Sequence, residues 1–119
     1  MKIQDFKDLD AWKVGHSLVI LVYKITDNFP QKEIFGLISQ MRRCAVSITS
    51  NVAEGFTRKG QKEKIQFYYI AKGSLIELEN QLLIAKDVGY LKNDDFDKIM
   101  NNLIKTKMIL NGLIRYCNK

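Results

Sequence analysis

Only three places in this chain carry the residues that turn a backbone, and that scarcity constrains the fold more than any other feature. One proline and seven glycines are spread over 119 residues, too few for a loop-rich fold or a series of tight hairpins. Asn28-Phe29-Pro30 interrupts a helical pattern, because proline lacks a backbone donor and restricts the residue before it. Gly55 to Gly60, enclosing Thr57, Arg58 and Lys59, makes the second break. Gly89 follows a long apolar-periodic stretch, as a glycine past a helix end does, and Asn93-Asp94-Asp95 reads as an N-cap with acids in the first turn. The segments between predict helices over about 8–28, 34–54, 62–88 and 94–116, each roughly 30–40 Å long at 1.5 Å per residue. Short connections make sequential neighbours antiparallel. The expectation is a single all-α domain over 1–119, an up-down-up-down four-helix bundle.

The amount of apolar surface says more than its presence. A bundle helix needs an apolar stripe about 100° wide. The first helix carries two seams side by side, one through Leu9, Trp12, His16, Val19 and Tyr23, the other through Ala11, Gly15, Leu18, Val22 and Ile25. With Val14 and Leu21 they cover roughly 200° of its circumference. The third helix is similarly rich. Small domains have few polar residues to spare, and every protein surface is partly apolar. The surplus nonetheless favours a second buried face, against another subunit. Gly73 supports this, since a glycine inside a helix costs about 1 kcal/mol relative to alanine and Ala71-Lys72-Gly73-Ser74 would let another helix approach closely. That neighbour belongs either to another subunit or to the same bundle.

Composition removes much chemistry. Two cysteines, Cys44 and Cys117, form no disulfide framework and fit a reducing cytoplasm. Cys44 lies on the apolar stripe of the second helix as a small core residue, and Cys117, near the chain end, is expected to be exposed. One histidine cannot supply a multi-histidine metal site, so no metal and no cofactor are expected. His16 reads as an interior residue with one hydrogen bond. No apolar run approaches the roughly 20 residues of a membrane span, and the first residues hold no apolar signal core. Lys72-Gly73-Ser74 has the wrong order for a phosphate-binding loop and follows no strand.

The second helix carries a polar row, Gln40, Arg43, Ser47, Asn51 and Glu54, bordering its apolar stripe instead of opposing it. Lys72 and Glu79 on the third helix project among Tyr68, Leu75, Ile76 and Leu82, where free charges are costly. A polar network at a helix or subunit seam accounts for both, with Gly73 and Ser74 in the same seam and Arg43 and Glu79 at opposite ends. Ser47 has no histidine on its own helix to act as a base, and Glu77 and Glu79, two apart, do not share a helix face. No catalytic residue is assigned, and the chain is not expected to be an enzyme.

Charge is the remaining signal. Nineteen lysines and arginines against thirteen acids give +6 at pH 7. Arg58, Lys59, Lys62 and Lys64 crowd the second break, opposed only by Glu63. Arg42 and Arg43, and Lys105 and Lys107 on the last helix, are secondary candidates. A basic surface with a pI near 9.3 is the usual electrostatic footprint of nucleic-acid binding, though of low specificity.

The runs Leu9 to Tyr23, Phe29 to Leu37, Gln40 to Gly55 (QMRRCAVSITSNVAEG) and Ala71 to Tyr90 resemble the bacterial four-helix-bundle proteins encoded in 23S rRNA intervening sequences, also called S23-type ribosomal proteins. The resemblance is most specific over Arg42 to Gly55 together with Gly73-Ser74-Leu75 and Glu77-Leu78-Glu79. Cys44 stands where the family more often has alanine, and Thr49 where proline is common. The resemblance implies an antiparallel four-helix bundle assembled as a homopentameric ring. It extends to the accessory variability protein of diversity-generating retroelements, a basic pentamer that associates with a reverse transcriptase and nucleic acid. It implies no catalytic residues, and the positions Arg42, Arg43, Ser47, Asn51 and Glu54, which match the family motif, are implied to serve assembly more than binding. The resulting expectation is a cytoplasmic, non-enzymatic homo-oligomer contacting RNA or DNA through phosphates. The rival is a protein-interaction scaffold with no direct nucleic-acid role.

Overall fold

A computed structural model describes residues 2–119. Four helices make the body: α1 (Asp10–Thr26), α2 (Leu37–Thr57), α3 (Gln61–Asp87) and α4 (Asn93–Cys117), with 3-10 turns at Phe6–Asp8 and Gln31–Glu33 and no strand among the described residues. Neighbours pack α1 on α2, α2 on α3, α3 on α4 and α4 on α1, while α1 and α3 stay diagonal. The bundle measures 43 × 25 × 20 Å, its long axis matching helices of 25 and 27 residues at 1.5 Å per residue.

The helix ends follow local chemistry. Asp5 and Asp8 form a reciprocal capping box at the first 3-10 turn. Past α3, Gly89 adopts φ +89°, with its N–H donating to Lys86 O and that of Tyr90 to Ala85 O. That is the paired bonding by which a left-handed glycine closes a helix. The second helix is displaced three residues from the expected 34–54, starting at Leu37. α2 runs through Gly55 to Thr57, because Gly55 is buried helix and not the start of a turn. A Cβ there would lie 2.7 Å from Tyr68 Cε1 and 3.0 Å from Phe67 Cβ. This glycine, not Gly73, lets two helices of one bundle touch.

The core is continuous from Leu18 and Val22 through Met41, Ile48, Leu75, Leu78 and Leu82 to Ile99, Leu103 and Leu110, each at most 1% exposed. Two expectations are corrected. His16 is exposed, its imidazole stacked 4.7 Å from the Trp12 ring, because it lies on the solvent edge of α1. Cys117 is buried, since α4 stays packed to its last turn. Of the two neighbours left open for Gly73, a helix of the same bundle is excluded, because no atom lies within 4 Å of a built Cβ. Much of the apolar surplus lies outside the core: Ile20 and Tyr23 on α1, and Tyr69, Ile70, Ile76, Leu83 and Ile84 on α3, are 41–53% exposed.

Candidate nucleic-acid interface

The second break is a three-residue connection, Arg58 to Gly60, between α2 and α3. Helix ends leave carbonyls without partners, and here a lysine supplies one. Lys64 Nζ donates to Phe56 O at 2.6 Å and to Gly55 O at 3.5 Å, and lies over the Phe56 ring. The Arg58 guanidinium sits 4.6 Å from the Phe67 ring and 3.6 Å from Glu54 of the preceding turn. These two cations close the corner from inside. Lys59 and Lys62 are exposed and make no hydrogen bond or ion pair among the described residues.

The secondary candidates do not join this corner. Arg42 donates to Thr26 Oγ1 and Asp27 Oδ1, both at 2.9 Å, and lies 4.7 Å from the Tyr23 ring. It is a strut between α1 and α2. Lys107 donates to Glu79 at 2.9 Å, each side chain about two-thirds covered, and ties α4 to α3. Glu79 is therefore paired with Lys107, not with Arg43, because it leaves α3 on the side facing α4. Arg43 is exposed and borders a groove with Gln40, Ser47, Ser74 and Glu77. Lys105 lines a separate α1–α4 groove with Asp10, Lys13 and Ser17. Of the eight cations, Arg58, Lys59, Lys62 and Lys64 share one place.

The polar row of α2 does meet α3. Ser47 and Ser74 share a hydrogen bond of 2.9 Å, and the Asn51 amide donates to Ser47 O at 2.8 Å and Oγ at 3.1 Å. Glu54 faces solvent, and Lys72 is half-buried without a polar contact among the described residues. The Cys44 thiol donates to Ser74 O at 2.9 Å. Burial, aided by the nearby Glu77 charge, pushes that thiol up to about 12. It stays protonated at neutral pH, so this seam positions helices and activates no nucleophile.

The bundle is electrically lopsided. The end holding the α2–α3 corner also holds the start of α1 and the close of α4, adding Lys2, Lys7, Arg115 and Lys119 to the four cations of the corner, against Asp5, Asp8, Asp10, Glu54 and Glu63. The other end, built from the α1–α2 and α3–α4 connections, has Asp94, Asp95 and Asp97 with Asp27, Glu33 and Asp87, nearly balanced by Lys24, Lys32, Lys86, Lys92 and Lys98. Its fastening escaped the sequence reading. Tyr90 donates its hydroxyl to Glu33 at 2.8 Å across 57 residues, a pairing without local sequence signal. No helix among the described residues is long and apolar enough to cross a membrane, and none of their acids, cysteines or histidine cluster as metal ligands.

Residues 7–112 match the sequence pattern of the 23S rRNA-intervening sequence protein family. The chain belongs to that family. Among solved structures it is similar to a protein of unknown function from the S23 ribosomal protein family of Bacteroides thetaiotaomicron VPI-5482, at 18% identity and a TM-score of 0.80. That likeness covers 88% of this chain and 95% of the other and concerns the fold. No protein of curated function matches.

Proposed function

We propose that this 23S rRNA-intervening sequence protein is a non-enzymatic, cytoplasmic, self-associating bundle that holds RNA or DNA by its phosphates, using the α2–α3 end. The observation that carries the reading is that Lys59 and Lys62, on the three-residue corner beside Arg58, are exposed and make no hydrogen bond or ion pair among the described residues. Lysines without carboxylate partners give up only hydration and counterions on meeting a phosphate, and counterion release is the main driving force of such binding. Lys64, Arg42 and Lys107 already serve intramolecular contacts and belong to the framework. Arg43 and Lys105 line separate grooves away from the corner. Assembly as a homopentamer, which the family resemblance favours, would gather 5 × 6 = +30 formal charges. Phosphate contacts confer no base readout, so binding should be insensitive to sequence.

The test is retention of a single-stranded oligonucleotide of mixed sequence at 50 and 200 mM salt. Each phosphate contact contributes about −0.7 to the slope of log affinity on log salt. Lys59→Glu with Lys62→Glu should flatten that slope and release the oligonucleotide. No retention at 50 mM salt, or an affinity indifferent to salt, ends this reading. The scaffold reading is favoured by one specific observation, the nearly bare ring of Phe35. A scaffold keeps its protein partner through the same charge reversals.

A further inference from the structure

The rings of α1 stand in a line. Trp12, His16 and Tyr23 fall within about 40° of one another at 100° per residue, and each is followed in the chain by a polar residue: Trp12-Lys13, His16-Ser17 and Tyr23-Lys24. The helix therefore carries two parallel rows about 100° apart, one of rings and one of two cations and a hydroxyl, each roughly 16 Å long. The ring row is held from beneath. Phe6 meets Trp12 edge-on, with centroids 5.6 Å apart and planes at 71°, and the His16 imidazole lies flat on the indole at 4.7 Å and 16°. One imidazole face rests on the indole while the residue stays exposed, which leaves the other face as the place for a further ring. Tyr23 is 41% exposed and is backed by the Arg42 guanidinium, 4.7 Å from its centroid.

The cation row faces α4. Lys13 and Lys24 are exposed, and their side chains make no hydrogen bond or ion pair among the described residues. They stand on the near walls of two grooves between α1 and α4. The far wall of one holds Asn102 and Lys105, and that of the other holds Lys98. One acid lines each groove, Asp10 in the first and Asp95 in the second, so each keeps two lysines against one carboxylate. Asn102 accepts the Thr106 hydroxyl through Oδ1 at 3.3 Å, which leaves its amide N–H groups to donate elsewhere.

We infer that this face of α1 takes an unpaired strand of nucleic acid, its bases stacking on His16 and Tyr23 and its phosphates following Lys13 and Lys24. A single strand presents flat rings on one side and charge on the other, and the two rows of α1 are parallel and of equal length to meet both. Stacking tolerates any sequence, because every base has a π face, and aromatic side chains beside a cationic groove are the usual means of holding single strands. A duplex keeps its bases stacked on one another and offers the rings nothing. The rows also begin in the first turn of α1, at the end of the bundle that holds the α2–α3 corner. A strand held by Lys59 and Lys62 has this face as its continuation. The inference rests on the phosphate binding of the proposed function and narrows its ligand from any nucleic acid to an unpaired one.

Trp12 is the only tryptophan, so its fluorescence reports on the stack directly. The test titrates wild-type protein at 50 mM salt with a mixed-sequence single-stranded DNA oligonucleotide and with the blunt duplex of the same length. The single strand should change the Trp12 emission and the duplex should not. His16→Ala with Tyr23→Ala, both at exposed positions, should weaken the single strand about tenfold or more and leave the duplex affinity and the salt slope unchanged. Lys13→Gln with Lys24→Gln should instead reduce the salt slope for the single strand by about 1.4. An oligonucleotide that is retained while the emission answers both ligands alike, or neither, overturns the stacking and leaves the corner reading standing. A single-strand affinity that the ring variant does not lower has the same consequence. No retention of either ligand overturns both. The emission comparison uses wild-type protein alone, and it decides the matter should the ring variant lose its helical signal.

Discussion

The inner and outer faces of α3 are nearly equal in apolar character and opposite in circumstance. Leu75 and Ile76 are consecutive, yet Leu75 is fully buried and Ile76 is 53% exposed. A helix apolar all round does not state which side is core. What separates the faces is that Tyr68, Ala71, Leu75, Leu78 and Leu82 are buried where α3 packs on α2 and α4, whereas Tyr69, Ile76 and Leu83 stay about half exposed. The largest expected effect follows directly. Leu75→Ala should cost about 2–5 kcal/mol, the cost of a core cavity. Ile76→Ala should stay within about 0.5 kcal/mol in urea unfolding of dilute, separated chains. Equal losses would erase the distinction between the faces.

The glycines sharpen the same contrast with opposite signs. Gly55→Ala places a methyl 2.7 Å from Tyr68 Cε1, and Tyr68 is 1% exposed and cannot swing clear. Overpacking costs about 1–3 kcal/mol, of which helix propensity returns about 1. A net loss of up to about 2 kcal/mol is expected. Gly73→Ala meets nothing and should gain about 1 kcal/mol. The two urea midpoints, measured on dilute protein, should move in opposite directions.

These particulars show what was legible in the sequence. Gly89 was readable because a left-handed cap is settled by residues next to it. The family match and the four helices were readable because periodicity and motif are linear. Gly55 was misread as punctuation, since its neighbour Tyr68 lies 13 positions on and only packing brings the two together. Charge misled for the same reason. Arg42 is claimed by Thr26 and Asp27 on another helix, Lys107 by Glu79 28 residues away, and Lys64 by carbonyls at the end of α2. Sequence counts cations; their partners are a property of the fold. Lys59 and Lys62 kept their expected exposure because a corner with three connecting residues offers little to fold back upon.

A thiol reports the two faces with less perturbation. Cys44 is buried, donates to Ser74 O and is pushed up to about 12, and the Cys117 thiol is likewise raised by burial. At pH 8 a thiol-specific reagent should leave both unmodified in the native protein and label both in denaturant. Ile76→Cys should add one thiol that reacts at once in dilute protein. Slowing of that reaction as concentration rises would show the outer face being covered.

The smallest effect contrasts the two sides of the α1–α2 connection, where Glu33 is pinned from below and Phe35 points away. The Glu33 carboxyl is held below its ordinary value of 4.5 by the Leu37 N–H and the Tyr90 hydroxyl, and Tyr90 is held above its ordinary value of 10.0, chiefly by the same hydrogen bond. A depressed acid contributes stability that is complete above its unfolded value and lost as pH falls through its lower folded value. A raised tyrosine contributes below its unfolded value and loses that contribution as pH climbs through its folded one. The bond therefore stabilises most between about pH 5 and 9. Glu33→Gln should lower the melting temperature slightly at pH 7, and the gap from wild type should be smaller at pH 3. Any shift caused by Phe35→Ser should be the same at both pH values, because that ring touches no titrating group. A Glu33→Gln gap that does not narrow at pH 3 would mean that the neutral carboxyl holds the connection as well as the carboxylate does, and that charge on Glu33 contributes nothing to it.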